Sequence, residues 1–271
     1  MQSSIDVLSK SIKFGESFFR DLENRIDLEL EHKVVASLFR KLIEQADAGY
    51  VLAKHDLEGP LTVMKRSILE TYLAIRYILE KESLVKDRAY SYYVGFLMDS
   101  KDDMRTWYKQ QKIDVSDLEL ERLIDINSAL LKDPKLKYIL QEWKHTKRQL
   151  KKSYNPNWYS LFNGPKSLKQ LATTLMENES LVYTFYGSLS QEAHSYKALD
   201  AANYTELMDK PLKLKPIRCG VDPSDVSNIK SFLTGAMFEV INYLFPDRLH
   251  ECLEFAIDIG MITGQESFSN E

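Results

Sequence analysis

Glycine and proline are scarce in this chain of 271 residues, at 10 and 8. So few breakers disfavour a sheet with many turns and favour long helices. Cysteine is scarcer still. Cys219 and Cys252 are the only two, which excludes a disulfide framework and suits free thiols in a reducing compartment. No run approaches the roughly 20 apolar residues that span a bilayer. The opening MQSSIDVLSKSIKF also lacks an apolar core of the signal-peptide kind, so a cytoplasmic location and no membrane partner are expected. Positive charge is not in excess: a net charge of −4 argues against a globally basic nucleic-acid binder, though not against a local basic patch. Several motifs are missing as well. There is no G-x-x-x-x-G-K-[ST], G-x-G-x-x-G, H-E-x-x-H or G-x-S-x-G, and no cysteine pair at zinc spacing. P-loop hydrolysis, dinucleotide redox chemistry and zincin-type proteolysis are disfavoured, and neither a metal nor a cofactor is expected.

What the chain does have is helical periodicity along most of its length. Ile5, Leu8 and Ile12, then Phe18, Phe19 and Leu22, form a first stripe; Phe14 falls off it and Gly15 weakens its middle. Val34, Val35, Leu38, Phe39, Leu42 and Ile43 mark a helix over about 28–55. Pro60 is a first-turn proline for a helix over about 60–82, whose apolar residues on most faces predict a central position as the most hydrophobic helix of the chain. A Tyr-rich helix over 84–111 follows, then capping boxes at SDLE 116–119 and SLKQ 167–170, a basic helix over 134–152, the aromatic loop YNPNWYSLFNGP and a helix over 181–199. Asp222 and Pro223 open the first of two last helices, over 223–245 and 247–263. The expected fold class is all-α: a single bundle of about eight to ten helices, with at most one short extended segment near 211–218, cut by Pro216. The expected organisation is a helical pair over 1–56, as an arm or as part of the bundle, a main domain over 57–263 and a flexible tail over 264–271.

Three groups of residues are candidates for chemistry. Arg66 and Glu70 stand at i and i+4 on the helix expected to be central, where charge is costly unless paired or facing a cleft. They serve either as an ion pair tying helices together or as part of a site. Ser190 and His194 repeat the spacing in GSLSQEAHSYKA. The histidine is either hydrogen-bonded in a core or a general acid–base at neutral pH. Lys144, His145, Lys147, Arg148, Lys151 and Lys152 form a basic run: either a solvated helix end facing the helix dipole or an RNA-backbone patch, with Trp143, Trp158 and Tyr159 placed to stack on bases.

The order KRSILETYLAIRYIL, Tyr-rich helix, WYSLFNGPKSLKQLA, YGSLSQEAHS, over roughly residues 60–245, resembles a bacterial and phage-borne all-helical family of unknown function. That family carries R-x-x-x-E early and S-x-x-x-H late. It is distantly similar to the higher-eukaryote-and-prokaryote nucleotide-binding (HEPN) helical domains, many of them dimeric, metal-independent ribonucleases of toxin–antitoxin and phage-defence systems. The resemblance implies Arg66, Glu70, Ser190 and His194 as site residues and RNA, with a protein partner or a second copy, as partner. The HEPN signature itself, an Arg and a His a few residues apart, is not met at His194. Arg25 and His32 match it formally, but Asp27, Glu29 and Glu31 intervene and would repel a phosphate. The expected function is a HEPN-like metal-independent ribonuclease or toxin effector. The alternative is a non-catalytic interaction or ligand-sensing subunit, with YSYYVGF and WYSLF as its aromatic contact surfaces.

Overall fold

The computed structural model describes residues 3–111, 125–150, 155–176, 187, 189, 204–206, 213–214 and 216–262. The SDLE capping box, most of the 181–199 helix and the 264–271 tail lie outside the described residues. Within them the chain is an all-α bundle. Its bounded helices are α1 (Ser4–Glu16), α2 (Phe19–Asn24), α3 (Leu30–Lys54), α4 (Glu58–Leu79), α5 (Val85–Gln111), α6 (Lys137–Gln149), α7 (Leu168–Met176), α8 (Pro223–Leu244) and α9 (Leu249–Asp258). Residues 125–130 are also helical. Lys213–Leu214 (β2) is extended, as its sequence predicts, and pairs antiparallel with Tyr204–Glu206 (β1).

Local chemistry sets several boundaries. The Asp222 side chain accepts from the backbone N–H of Ser224 with Pro223 in the first turn, so α8 begins where the cap predicts. Ser167 accepts from the N–H of Gln170 at 3.1 Å at the start of α7. α9 ends at Asp258, short of 263. Gly260 takes φ 69°, and the N–H groups of Met261 and Gly260 return to the carbonyls of Ala256 and Ile257, the paired closure of a left-handed glycine cap. The first stripe is two helices, divided at Ser17–Phe18. Phe14, off that stripe, stacks on Phe255 of α9 at 4.2 Å.

α3, α4 and α8 are packed together, and α1 lies on α3 and α8. Leu8, Ile12 and Phe18 share one buried cluster with Leu42, Leu61, Ile229 and Met237. α4 has apolar residues on most faces because it serves two cores. Leu61, Ile68, Ile75 and Ile78 face that large cluster, whereas Leu69, Leu73 and Tyr77 join Leu171, Ala172 and Leu189 in a second. α4 is central, but it is not the most hydrophobic helix: α8 and α9 are more apolar residue for residue. Most of YSYYVGF faces inward and does not form a contact surface. Tyr90, Ser91 and Val94 are buried, Tyr92 and Tyr93 are half-buried, and only Phe96 of its aromatics is exposed, at 60%.

Candidate functional site

On α4, the Arg66 Nε donates to Glu70 Oε1 at 3.0 Å, and the two side chains are 20% and 39% exposed. The pair follows from the helix repeat alone, since i and i+4 stand one turn apart. What the repeat leaves open is the direction the pair faces. Glu70 lines a cleft of about 440 Å³ together with Ser67 and Thr71 of the same helix, Gln45 of α3, Trp158, Tyr159 and Leu168. Thr71 Oγ1 donates to Gln45 Oε1 at 2.8 Å across its floor.

The far wall is the turn Trp158–Asn163. Its tight geometry is written in FNGP: Phe162 and Asn163 both take left-handed φ, at 55° and 61°, and a Cβ at Gly164 would come within 2.1 Å of the Tyr159 carbonyl oxygen. The turn is held from two sides. Tyr77 Oη donates to the Tyr159 carbonyl at 3.3 Å, and Glu142 of α6 accepts from the Phe162 N–H at 3.0 Å. The half-buried Trp158 packs edge-on against Tyr92 at 5.1 Å. The Arg88 guanidinium lies 3.8 Å over the Tyr77 ring; burial pushes the Tyr77 phenol above its ordinary range, against the pull of Arg88.

Of the residues expected at a site, Glu70 lines this cleft and Arg66 is joined to it by the ion pair without lining the cleft itself. Ser190, His194, Lys151 and Lys152 lie outside the described residues. Leu189, next to Ser190 in the chain, is 2% exposed and belongs to the cluster of Leu69, Leu73 and Tyr77. On α6, Lys144, His145 and Arg148 are exposed, while Lys147 Nζ reaches Asn155 Oδ1 at 3.4 Å. α6 packs on α5 and on the Trp158–Asn163 turn, so its basic face and the cleft share one supporting segment. Trp143 is not placed to stack on a base: it is 1% exposed, packed with Val94, Leu97, Leu136 and Ile139, because it stands on the inward face of α6 with Ile139 and Thr146. Arg25 and His32 have structural partners. Arg25 pairs with Asp27 at 2.6 Å, and His32 Nδ1 accepts from the N–H of Glu29 at 3.1 Å.

Two features escaped the sequence. Lys65, one residue before Arg66, is 5% exposed and forms an ion pair with Asp225 of α8, itself 8% exposed. Its phase was readable, since Leu61, Lys65 and Ile68 fall on one stripe, but its partner lies far along the chain. The second is that Trp158 and Tyr92 also border another, larger cavity, of about 590 Å³.

Residues 32–209 match one protein family over more than half of the chain. The chain belongs to the family of unknown function DUF5677. No curated protein and no solved structure matches it. The DUF5677 match takes in Arg66, Glu70, the whole Trp158–Asn163 turn, Ser190 and His194. α1, α2, α8 and α9 lie outside it, so the family segment carries the cleft while α8 supplies Asp225 from beyond the match. Among the described residues no group of His, Cys, Asp and Glu is arranged to hold a metal ion, and no helix is long and apolar enough to cross a membrane.

Proposed function

We propose that this DUF5677 chain is an RNA-cleaving effector of HEPN-like type, a ribonuclease or toxin of the kind used in phage defence. The observation that carries the reading is Arg66, 20% exposed and ion-paired to Glu70, the residue of the pair that lines an open cleft. A guanidinium held in that way is preorganised for charge that develops on a phosphate. The burial of Leu189 in the cluster of Leu69 and Leu73 supports it further, because Ser190 and His194 follow directly in the chain.

In this reading His194 takes the proton of a ribose 2′-OH, and the 2′ oxygen attacks phosphorus. The bond from phosphorus to the 5′ oxygen breaks and that oxygen takes a proton from water, which yields a 2′,3′-cyclic phosphate and a 5′-hydroxyl end. Arg66 stabilises the charge on the phosphorane, Glu70 orients the guanidinium and Ser190 orients the imidazole. Lys144, Lys147, Arg148, Lys151 and Lys152 hold the RNA backbone, so cleavage weakens steeply with salt. The chemistry needs only these groups.

The test is incubation of the purified protein with total RNA and detection of 2′,3′-cyclic phosphate ends. Arg66→Ala and His194→Ala are each expected to lower cleavage at least about 100-fold while leaving the thermal midpoint nearly unchanged. Wild-type protein that releases no such ends, or a large stability loss in both variants, overturns the reading. A second reading, a non-catalytic ligand-sensing subunit, is favoured by one observation: the larger cavity beside Trp158 is lined by aromatic and acidic side chains, a poor surface for a phosphate backbone.

A further inference from the structure

The cavity of about 590 Å³ runs along one face of α5, lined by Tyr92, Gly95, Phe96, Asp99, Ser100 and Asp103, and is closed on its far side by Trp158. Its volume lies within the range of small-ligand sites. The aromatic walls are set at angles to one another: the Trp158 and Tyr92 ring planes are 76° apart with centroids at 5.1 Å. Gly95 lets Trp158 seat against the helix, since a Cβ there would stand 3.1 Å from the Trp158 Cβ and 3.5 Å from the Trp143 ring. Phe96, at 60% exposure, presents a large apolar surface to this space with nothing among the described residues covering it.

The carboxylates on the same wall point to one sign of charge. Asp99 accepts from the Asn155 amide at 3.0 Å, and that amide also serves Asp102, outside the lining, at 3.0 Å. Among the described residues no lysine or arginine pairs with Asp99 or Asp103; the nearest cation in this network, Lys147, stops at the Asn155 oxygen, 3.4 Å away. π faces attract cations, and so do carboxylates such as these, which no described lysine or arginine pairs. An anion is repelled by both. A neutral apolar guest would leave the carboxylates unused.

We infer that this cavity binds a small free organic cation, an ammonium or guanidinium group on a short apolar stem, with the cationic head against the aromatic wall of Trp158, Tyr92 and Phe96 and its N–H groups directed to Asp99 and Asp103. The inference stands independently of RNA cleavage, because none of the residues assigned to cleavage lines this cavity.

Calorimetric titration of the full chain with butylguanidinium and with its neutral isostere butylurea tests it. Butylguanidinium is expected to bind saturably, and butylurea at least about tenfold more weakly. The Asp99→Asn/Asp103→Asn double variant and Phe96→Ala are each expected to weaken butylguanidinium about tenfold with an unchanged thermal midpoint, since these three side chains are exposed. No saturable heat up to millimolar butylguanidinium, equal binding of butylurea, or binding that both variants leave untouched overturns the inference. So does saturable binding of guanosine, weakened by the same variants, without binding of the cation; that result would make the cavity a base pocket. Cleavage of RNA is a separate readout, so either assignment fails without the other.

Discussion

Lys65 occupies a position that a purely apolar helix face would give to leucine, between Leu61 and Ile68. Its charge is tolerated because Asp225 meets it in the core, with Thr62 Oγ1 at 3.4 Å from the other carboxylate oxygen. Breaking such a pair from one side leaves a buried charge alone. Lys65→Met is therefore expected to cost about 3 kcal/mol, the low end of the range for this kind of loss, because Asp225 keeps the favourable field of the α8 N-terminus. The double variant Lys65→Met/Asp225→Leu is expected to recover most of that loss, as measured by urea unfolding of the singles and the double. A double no more stable than the single would show that the pair is not the reason for the cost. Arg66, one position on, was readable as a member of an i, i+4 pair with Glu70, but Glu70 was not readable as a cleft residue. Helical phase reports which residues share a face, and not whether a neighbour covers it.

At the scale of the element, two glycines in helices make opposite predictions. Gly15 looks like a weak point in a helix, and by propensity alone alanine should improve it by about 1 kcal/mol. The packing reverses the sign: a Cβ at Gly15 would stand 2.6 Å from Ile43 Cδ1 and 3.4 Å from Met237 Sδ, where α1 meets α3 and α8. Ile43 is itself 2% exposed and has little room to move. Gly15→Ala is expected to destabilise by about 1–2 kcal/mol. At Gly235 in α8 the nearest atom is Tyr72 Cε2 at 3.5 Å, an ordinary contact, so Gly235→Ala is expected to be neutral or to gain up to about 1 kcal/mol. Thermal unfolding of the two variants side by side checks the contrast. Helix starts were legible here, at Asp222-Pro223 directly and at Pro60 to within two residues, since α4 begins at Glu58, because caps and first-turn prolines act through neighbouring backbone. The break at Ser17–Phe18 was not, because phenylalanines continue on both sides of it in the sequence. Nor was the end of α9 placed correctly, although Gly260 is the residue that stops it.

Across the whole molecule, buried phenols set a limit on alkaline stability. Burial raises Tyr72, Tyr77, Tyr90, Tyr92, Tyr93 and Tyr243 above the ordinary tyrosine range, Tyr243 to about 12. A phenol in the unfolded chain titrates near 10. A folded-state value above that means the fold is favoured fully below pH 10 and loses this support as pH rises from 10 towards 12. The thermal midpoint is expected to hold from pH 7 to about 9.5 and then fall steeply, with tyrosinate absorbance rising together with unfolding. Titration of all 15 tyrosines near pH 10 in a chain still folded would contradict the burial described. These tyrosines also show where legibility ended. Their density in YSYYVGF was plain, but it read as a contact surface, and the structure turned most of it inward. The amino-acid sequence by itself determined the helices, their caps and the all-α class, because periodicity and capping are interactions between residues within a few positions of one another. Only the tertiary structure decided which stripe met a core, which met a cleft, and that Trp158 would stand between two cavities, because each of those depends on segments tens to hundreds of positions apart arriving at the same place.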